Sequence, residues 1–254
     1  MKKIAIVIIL MILSINIIGS ATEMEPVSGS DRDTLLSNLV GMGIIDDSQT
    51  LTPDDSVSRR FVLDVLYRIY YTYTSEAEYT SVELTRDWAD VSNNSRDSDL
   101  VNFMYGFEVL KGRITEDGKL YADLDSNISR EEALMFFIRF INKRNGNIDA
   151  LIQRYSEENE CSDNVICLFA QECGLINYTP AYDNSFIVAP CDIDNPKGDI
   201  SFYEIVGIVN RLLYMPMRAS SYTSDYGYRA DAYYITLCEE GKTERILKYM
   251  HEGY

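Results

Sequence analysis

The sequence predicts a mainly α fold: three helix–loop–helix repeats with irregular loops and a C-terminal extension. Three observations predict it. One helix start recurs, as Val57-Ser58-Arg59-Arg60, Ile128-Ser129-Arg130-Glu131 and Ile200-Ser201-Phe202-Tyr203, at spacings of 71 and 72 residues. Behind each start runs an apolar face at helical spacing: Val62, Val65, Leu66 and Ile69, then Leu134, Phe137, Ile138 and Ile141, then Ile205, Val206, Val209 and Leu212. Ahead of each start a shorter helical pattern ends at Gly43, Glu108 or Gly174, with Ile44-Ile45 and Leu175-Ile176 as apolar exits. Equal spacing of one pattern is the signature of a repeat.

The starts carry capping chemistry. Ser58, Ser129 and Ser201 are N-cap residues, whose hydroxyl oxygen accepts an otherwise unpaired amide. Glu132 and Glu204, three residues on, complete capping boxes, and Ile128 and Ile200 are placed as hydrophobic staples.

Taken in order, residues 1–21 read as a secretory signal: Lys2 and Lys3, an apolar run from Ile4 to Ile18, then Gly19-Ser20-Ala21 before a cleavage point. The alternative is an uncleaved membrane anchor, but the run falls short of the ~20 residues a span requires. Repeat one occupies 22–74, repeat two 75–145, repeat three 146–218, and a Tyr-rich extension 219–254. In repeat one, Leu35, Leu36, Leu39 and Val40 share a helix face that Gly41 and Gly43 close. Residues 71–86 read as a linker. Trp88-Ala89-Asp90-Val91 opens repeat two, and Leu100, Phe103, Met104 and Phe107 mark its first helix. Thr115-Glu116-Asp117-Gly118 is a turn, since Asp-Gly readily takes the left-handed conformation. A short connecting helix is expected over 148–155, a helix over 163–172, and a last one over 236–250. From Gly43, Glu108 and Gly174 to the next start the chain runs 14, 20 and 26 residues, so length varies in the loops.

Composition bounds the function. The chain has 254 residues, 46% of them hydrophobic, enough for a folded core. Its formal net charge of −17 repels a phosphate backbone, so no nucleic acid is expected as partner. Of five cysteines, Cys161, Cys167, Cys173 and Cys191 lie close together, with Cys238 apart; one or two local disulfides are compatible with export, and spacing does not assign the pairing. The spacing fits no zinc pattern. Asp192 to Asp199 departs from a calcium loop at Pro196 and Lys197. The sole histidine, His251, sits in the tail, and no nucleophile elbow, phosphate loop or dinucleotide fingerprint occurs. No enzyme, cofactor or metal is therefore expected. Of nineteen tyrosines, ten fall in two clusters at 67–79 and 222–234, and margin packing is the favoured reading over sugar stacking.

The order of Trp88-Ala89-Asp90-Val91, Gly43-Ile44-Ile45, Asp117-Gly118-Lys119-Leu120 and Ile128-Ser129-Arg130-Glu131 resembles the S-layer homology domain over residues 33–214. The resemblance implies a pseudo-threefold bundle, secretion to the cell wall or cell surface, and non-covalent binding of cell-wall polysaccharide, often a polymer with pyruvylated sugar ends. It implies ligand roles for Arg59 and Arg130 at the helix starts and for Gly118 in the turn. Phe202 stands where a third arginine belongs, and the tryptophan that follows the family's opening motif is missing, so at most two sites are expected. An arginine in a first helical turn runs against the helix dipole, and beside free amides it suits a carboxylate ligand. The alternative is an arginine paired with a neighbouring acid. Two further functions stay open: a structural or protein-interaction module with an envelope protein partner, and, more weakly, an envelope carbohydrate hydrolase.

Overall fold

The computed structural model describes residues 32–46, 51–73, 86–141, 148–161, 163–172, 174–177, 189–214, 217–223 and 227–235. The expected signal, the 236–250 helix, His251, Cys173 and Cys238 lie outside those residues. The described chain is mainly helical: α1 (Arg32–Gly41), α2 (Arg59–Tyr73), α3 (Arg96–Gly106), α4 (Arg130–Ile141), α5 (Ile148–Glu158), α6 (Val165–Glu172) and α7 (Phe202–Tyr214). Two antiparallel hairpins join them, β1 (Arg113–Ile114) with β2 (Leu120–Tyr121), and β3 (Met217–Thr223) with β4 (Gly227–Ile235).

The shorter helices α1, α3 and α6 end alike. Gly43, Glu108 and Gly174 take left-handed φ of 71°, 61° and 76°. Their amides bond to Val40, Tyr105 and Gln171, and the next amides reach back to Leu39, Met104 and Ala170. That pair of bonds is the Schellman stop, which satisfies carbonyls the helix leaves open. The residue that follows each stop, Ile44, Val109 or Leu175, is at most 1% exposed.

The three serine starts meet. Val57 N–H bonds to Ile200 O, Ile200 N–H to Ile128 O, and Ile128 N–H to Val57 O, at 3.3, 3.0 and 3.1 Å. These bonds close a ring, and its three apolar residues are buried. The expectation that first-turn amides are free for a ligand is corrected here. Arg59, Arg130 and Phe202 donate theirs to Ser126, Gly198 and Asp55, while Arg60, Glu131 and Tyr203 donate to Leu124, Pro196 and Pro53. The third amide of each start bonds to its serine hydroxyl, Ser58, Ser129 or Ser201. A buried amide needs a partner, and loop carbonyls from the other units supply it.

Helix packing follows the same cycle. Helix α3 packs on α2, α6 on α4, and α1 on α7. Buried Asn210 of α7 donates to Leu35 O of α1 at 3.1 Å. One contiguous core runs through all of them. Tyr67 and Tyr70 pack edge-on against Phe103 at 5.1 and 4.9 Å, so this tyrosine cluster serves the α2–α3 seam.

Two boundaries differ from expectation. Helix α2 continues through Tyr73 into the expected linker, because Tyr70 and Tyr71 find aromatic partners on α3. In the expected extension, strands β3 and β4 pair antiparallel, with Tyr222 opposite Tyr228 and Ala219 opposite Tyr233. A scan for helical periodicity does not reveal strand pairing. In repeat two the Asp117-Gly118 turn closes β1–β2, with Gly118 at φ 77°. The opening segment clamps this hairpin: Ala89 N–H bonds to Leu120 O, and Asp90 accepts the amides of Ala122 and Asp123.

Candidate functional site

The first residue of each long helix touches the third residue of the next unit's long helix. Arg59 Nη1 lies 2.5 Å from Glu132 Oε1. Arg130 holds Glu204 with two nitrogens, at 2.7 and 3.1 Å. In the third link both charges are replaced, and Phe202 meets Phe61 edge-on with ring centroids 5.7 Å apart. The capping-box expectation divides accordingly. Glu204 both caps the Ser201 amide at 2.8 Å and pairs with Arg130. The Glu132 carboxylate turns to Arg59, because a guanidinium is a stronger donor than a neutral amide.

Arg130 and Glu204 form a partly buried pair, 15% and 11% exposed. Burial is the largest single influence and pushes the Glu204 carboxyl up, but the hydrogen bonds from Arg130 and Ser201 together with the Arg130 charge outweigh it and leave it below the usual carboxylate range. Burial also works against charge on Arg130, yet Glu204 keeps its pKa above the ordinary value. Arg130 Nη1 points to Asn195 O at 3.4 Å, and a Cβ on Gly198 would come within 2.7 Å of that nitrogen. Arg130 is thus built into the fold on every side the structure describes.

Arg59 has a different setting. Its Nε donates to Ala122 O at 3.1 Å, and its guanidinium lies 5.3 Å from the centre of the Phe136 ring. It lines a cavity of about 280 Å³ with Lys111, Phe136 and Arg139, and with two acids, Glu131 and Glu132. Three cations thus converge on one groove of a strongly acidic chain. Lys111 and Arg139 share one acid, Asp149 at the start of α5, with Arg139 Nη2 3.1 Å from its Oδ1. Arg139 Nη1 donates to Val109 O at 3.2 Å, and its buried Nε has no hydrogen-bond partner among the described residues.

Gly118 lies apart from both arginines. It borders a second, open groove of about 830 Å³ with Arg86, Trp88, Lys119 and Tyr121. There Arg86 stacks on Tyr105 at 5.1 Å, and Trp88 Nε1 donates to Asn102 at 3.0 Å. Of the three residues expected to bind ligand, Arg59 and Gly118 each line a groove, and the two grooves are different.

Sequence reasoning missed Lys111, Phe136, Arg139 and Asp149. Lys111-Gly112-Arg113 was a visible basic run just past the exit of α3. Nothing local joined it to Arg139 or Asp149, 28 and 38 residues away. The cysteines add no covalent staple within view: Cys161, Cys167 and Cys191 are free thiols. Burial raises the Cys167 thiol to about 11 and pushes Cys191 up further, so neither is a ready nucleophile. No family model matches the chain, and neither a curated protein nor a solved structure matches it.

Proposed function

We propose that this chain is an exported envelope protein that binds cell-wall polysaccharide non-covalently through three S-layer-homology-like units. The units are copies of one helical motif about an approximate threefold axis. The closed ring of Val57, Ile128 and Ile200 supports that reading, together with the cyclic packing of α1, α3 and α6. The groove under Arg59 carries the functional part. It offers a guanidinium, an ammonium and a second guanidinium beside an aromatic face, a combination suited to an acidic sugar. Binding is assigned to this groove alone, since Arg130 is committed to Glu204.

Sedimentation of the purified protein with cell walls tests this. The wild type sediments with intact walls and stays in solution when the secondary polymer has been stripped. Arg59→Ala keeps its helical circular dichroism and loses wall binding; sedimentation equal to wild type overturns the groove assignment. A second reading, a protein-interaction module that has lost its glycan, is favoured by one observation. Both arginines already hold internal acids. In that case stripped and intact walls retain the protein equally.

A further inference from the structure

Asp149 belongs to α5, the helix that connects the second and third units, yet it neutralises two cations of the groove. One carboxylate oxygen takes Lys111 Nζ, and the other takes Arg139 Nη2 at 3.1 Å. Lys111 follows the exit of α3 and Arg139 lies on the last turn of α4, so three elements converge on one carboxylate. Glu132 occupies Arg59 in the same cavity in the same manner. Both acids are solvated, with side chains 45% and 48% exposed, and a solvent-exposed ion pair is weak and readily exchanged. Arg139 is held from behind by Val109 O, so it stays in place when its acid leaves.

We propose that Asp149 is an internal competitor: the groove binds a carboxylated saccharide by exchanging the Asp149 carboxylate for one on the ligand. This rests on the polysaccharide reading above and adds the residue that sets the binding threshold. The exchanged group must present two free oxygens, one for each cation, as a pendant carboxylate does and an esterified one does not. Burial alone raises the Asp149 carboxyl, but the hydrogen bonds from Lys111 and Arg139 hold it below the usual range. The internal occupant is therefore an anion at neutral pH, as its replacement must be.

The test is titration calorimetry on the full chain with two probes, oligogalacturonate and a neutral dextran oligomer of equal length. Asp149→Asn removes the charge and keeps the side chain's size and shape; Asp149→Ser repeats the test if the first variant is unstable. Glu157→Gln is the control, an exposed acid of the same helix bonded to Gln153. Asp149→Asn binds oligogalacturonate about two- to fivefold more tightly than wild type, the range an exposed ion pair sets, while Glu157→Gln and dextran show no gain. An equal gain in both variants reduces the effect to net charge and overturns the proposal. So does an unchanged or weaker affinity, or no oligogalacturonate binding by any form. If walls still bind in that last case, the competitor fails and the polysaccharide reading stands. If walls do not bind but Asp149→Asn still gains, the outcome is reversed.

Discussion

Replacing Arg130 with methionine removes the cation from a carboxylate that stays largely shielded from solvent. Glu204 is 11% exposed and receives two nitrogens of one guanidinium. Breaking a buried pair from one side costs about 3–5 kcal/mol, because the remaining charge is left without compensation. Here the Ser201 amide at 2.8 Å still donates to Glu204, and some solvent reaches both groups. The expected loss is therefore about 2–3 kcal/mol, below the full range for an isolated charge. Adding Glu204→Gln removes that charge and keeps an acceptor for Ser201, so the double variant regains about 1–2 kcal/mol. The third link shows that an uncharged pair fits this position, since Phe61 and Phe202 occupy it. Urea unfolding of wild type, both single variants and the double variant closes the cycle. An Arg130→Met cost under about 0.5 kcal/mol, or single losses that simply add, would show that the pair lacks the coupling argued for it.

Two further outcomes follow from the same geometry. Glu204 has a depressed folded-state pKa, so its contribution is present above the unfolded carboxylate value and is lost as pH falls through the folded value. Stability measured downward from about pH 5 falls more steeply in wild type than in Glu204→Gln; parallel curves would contradict this. Gly112→Ala places a methyl at φ 73° and within 2.7 Å of both Leu120 Cδ1 and Trp88 Cζ3. Because Trp88 is the sole tryptophan, its fluorescence reports the clash directly, with a red shift and a loss of about 1–3 kcal/mol; an unshifted spectrum at full stability would refute the packing.

The chain's local signals and its tertiary pairings were unequally legible. Helix starts and stops were readable because their chemistry lies within a few residues. Ser58, Ser129 and Ser201 accept the amide three positions on, and Gly43, Glu108 and Gly174 turn left-handed just past the helix. Even a glutamate at 108 was identified by its place in the repeat. The β3–β4 hairpin was not readable in the same way, because strand pairing depends on a partner that periodicity does not reveal.

By itself, then, the sequence determined where the long helices begin, which faces are apolar, and that one serine start recurs three times. Only the tertiary structure decided what the arginines do. Glu132 and Glu204 lie 73 and 74 residues from Arg59 and Arg130, and both had a capping role that local reasoning could assign. The first-turn amides looked free because the carbonyls that take them come from distant loops. The groove owes its cations to Lys111 and Arg139 as much as to Arg59. The physical reason is range: capping and left-handed stops are settled within one helical turn, whereas charge pairing and burial depend on whatever the folded chain brings alongside.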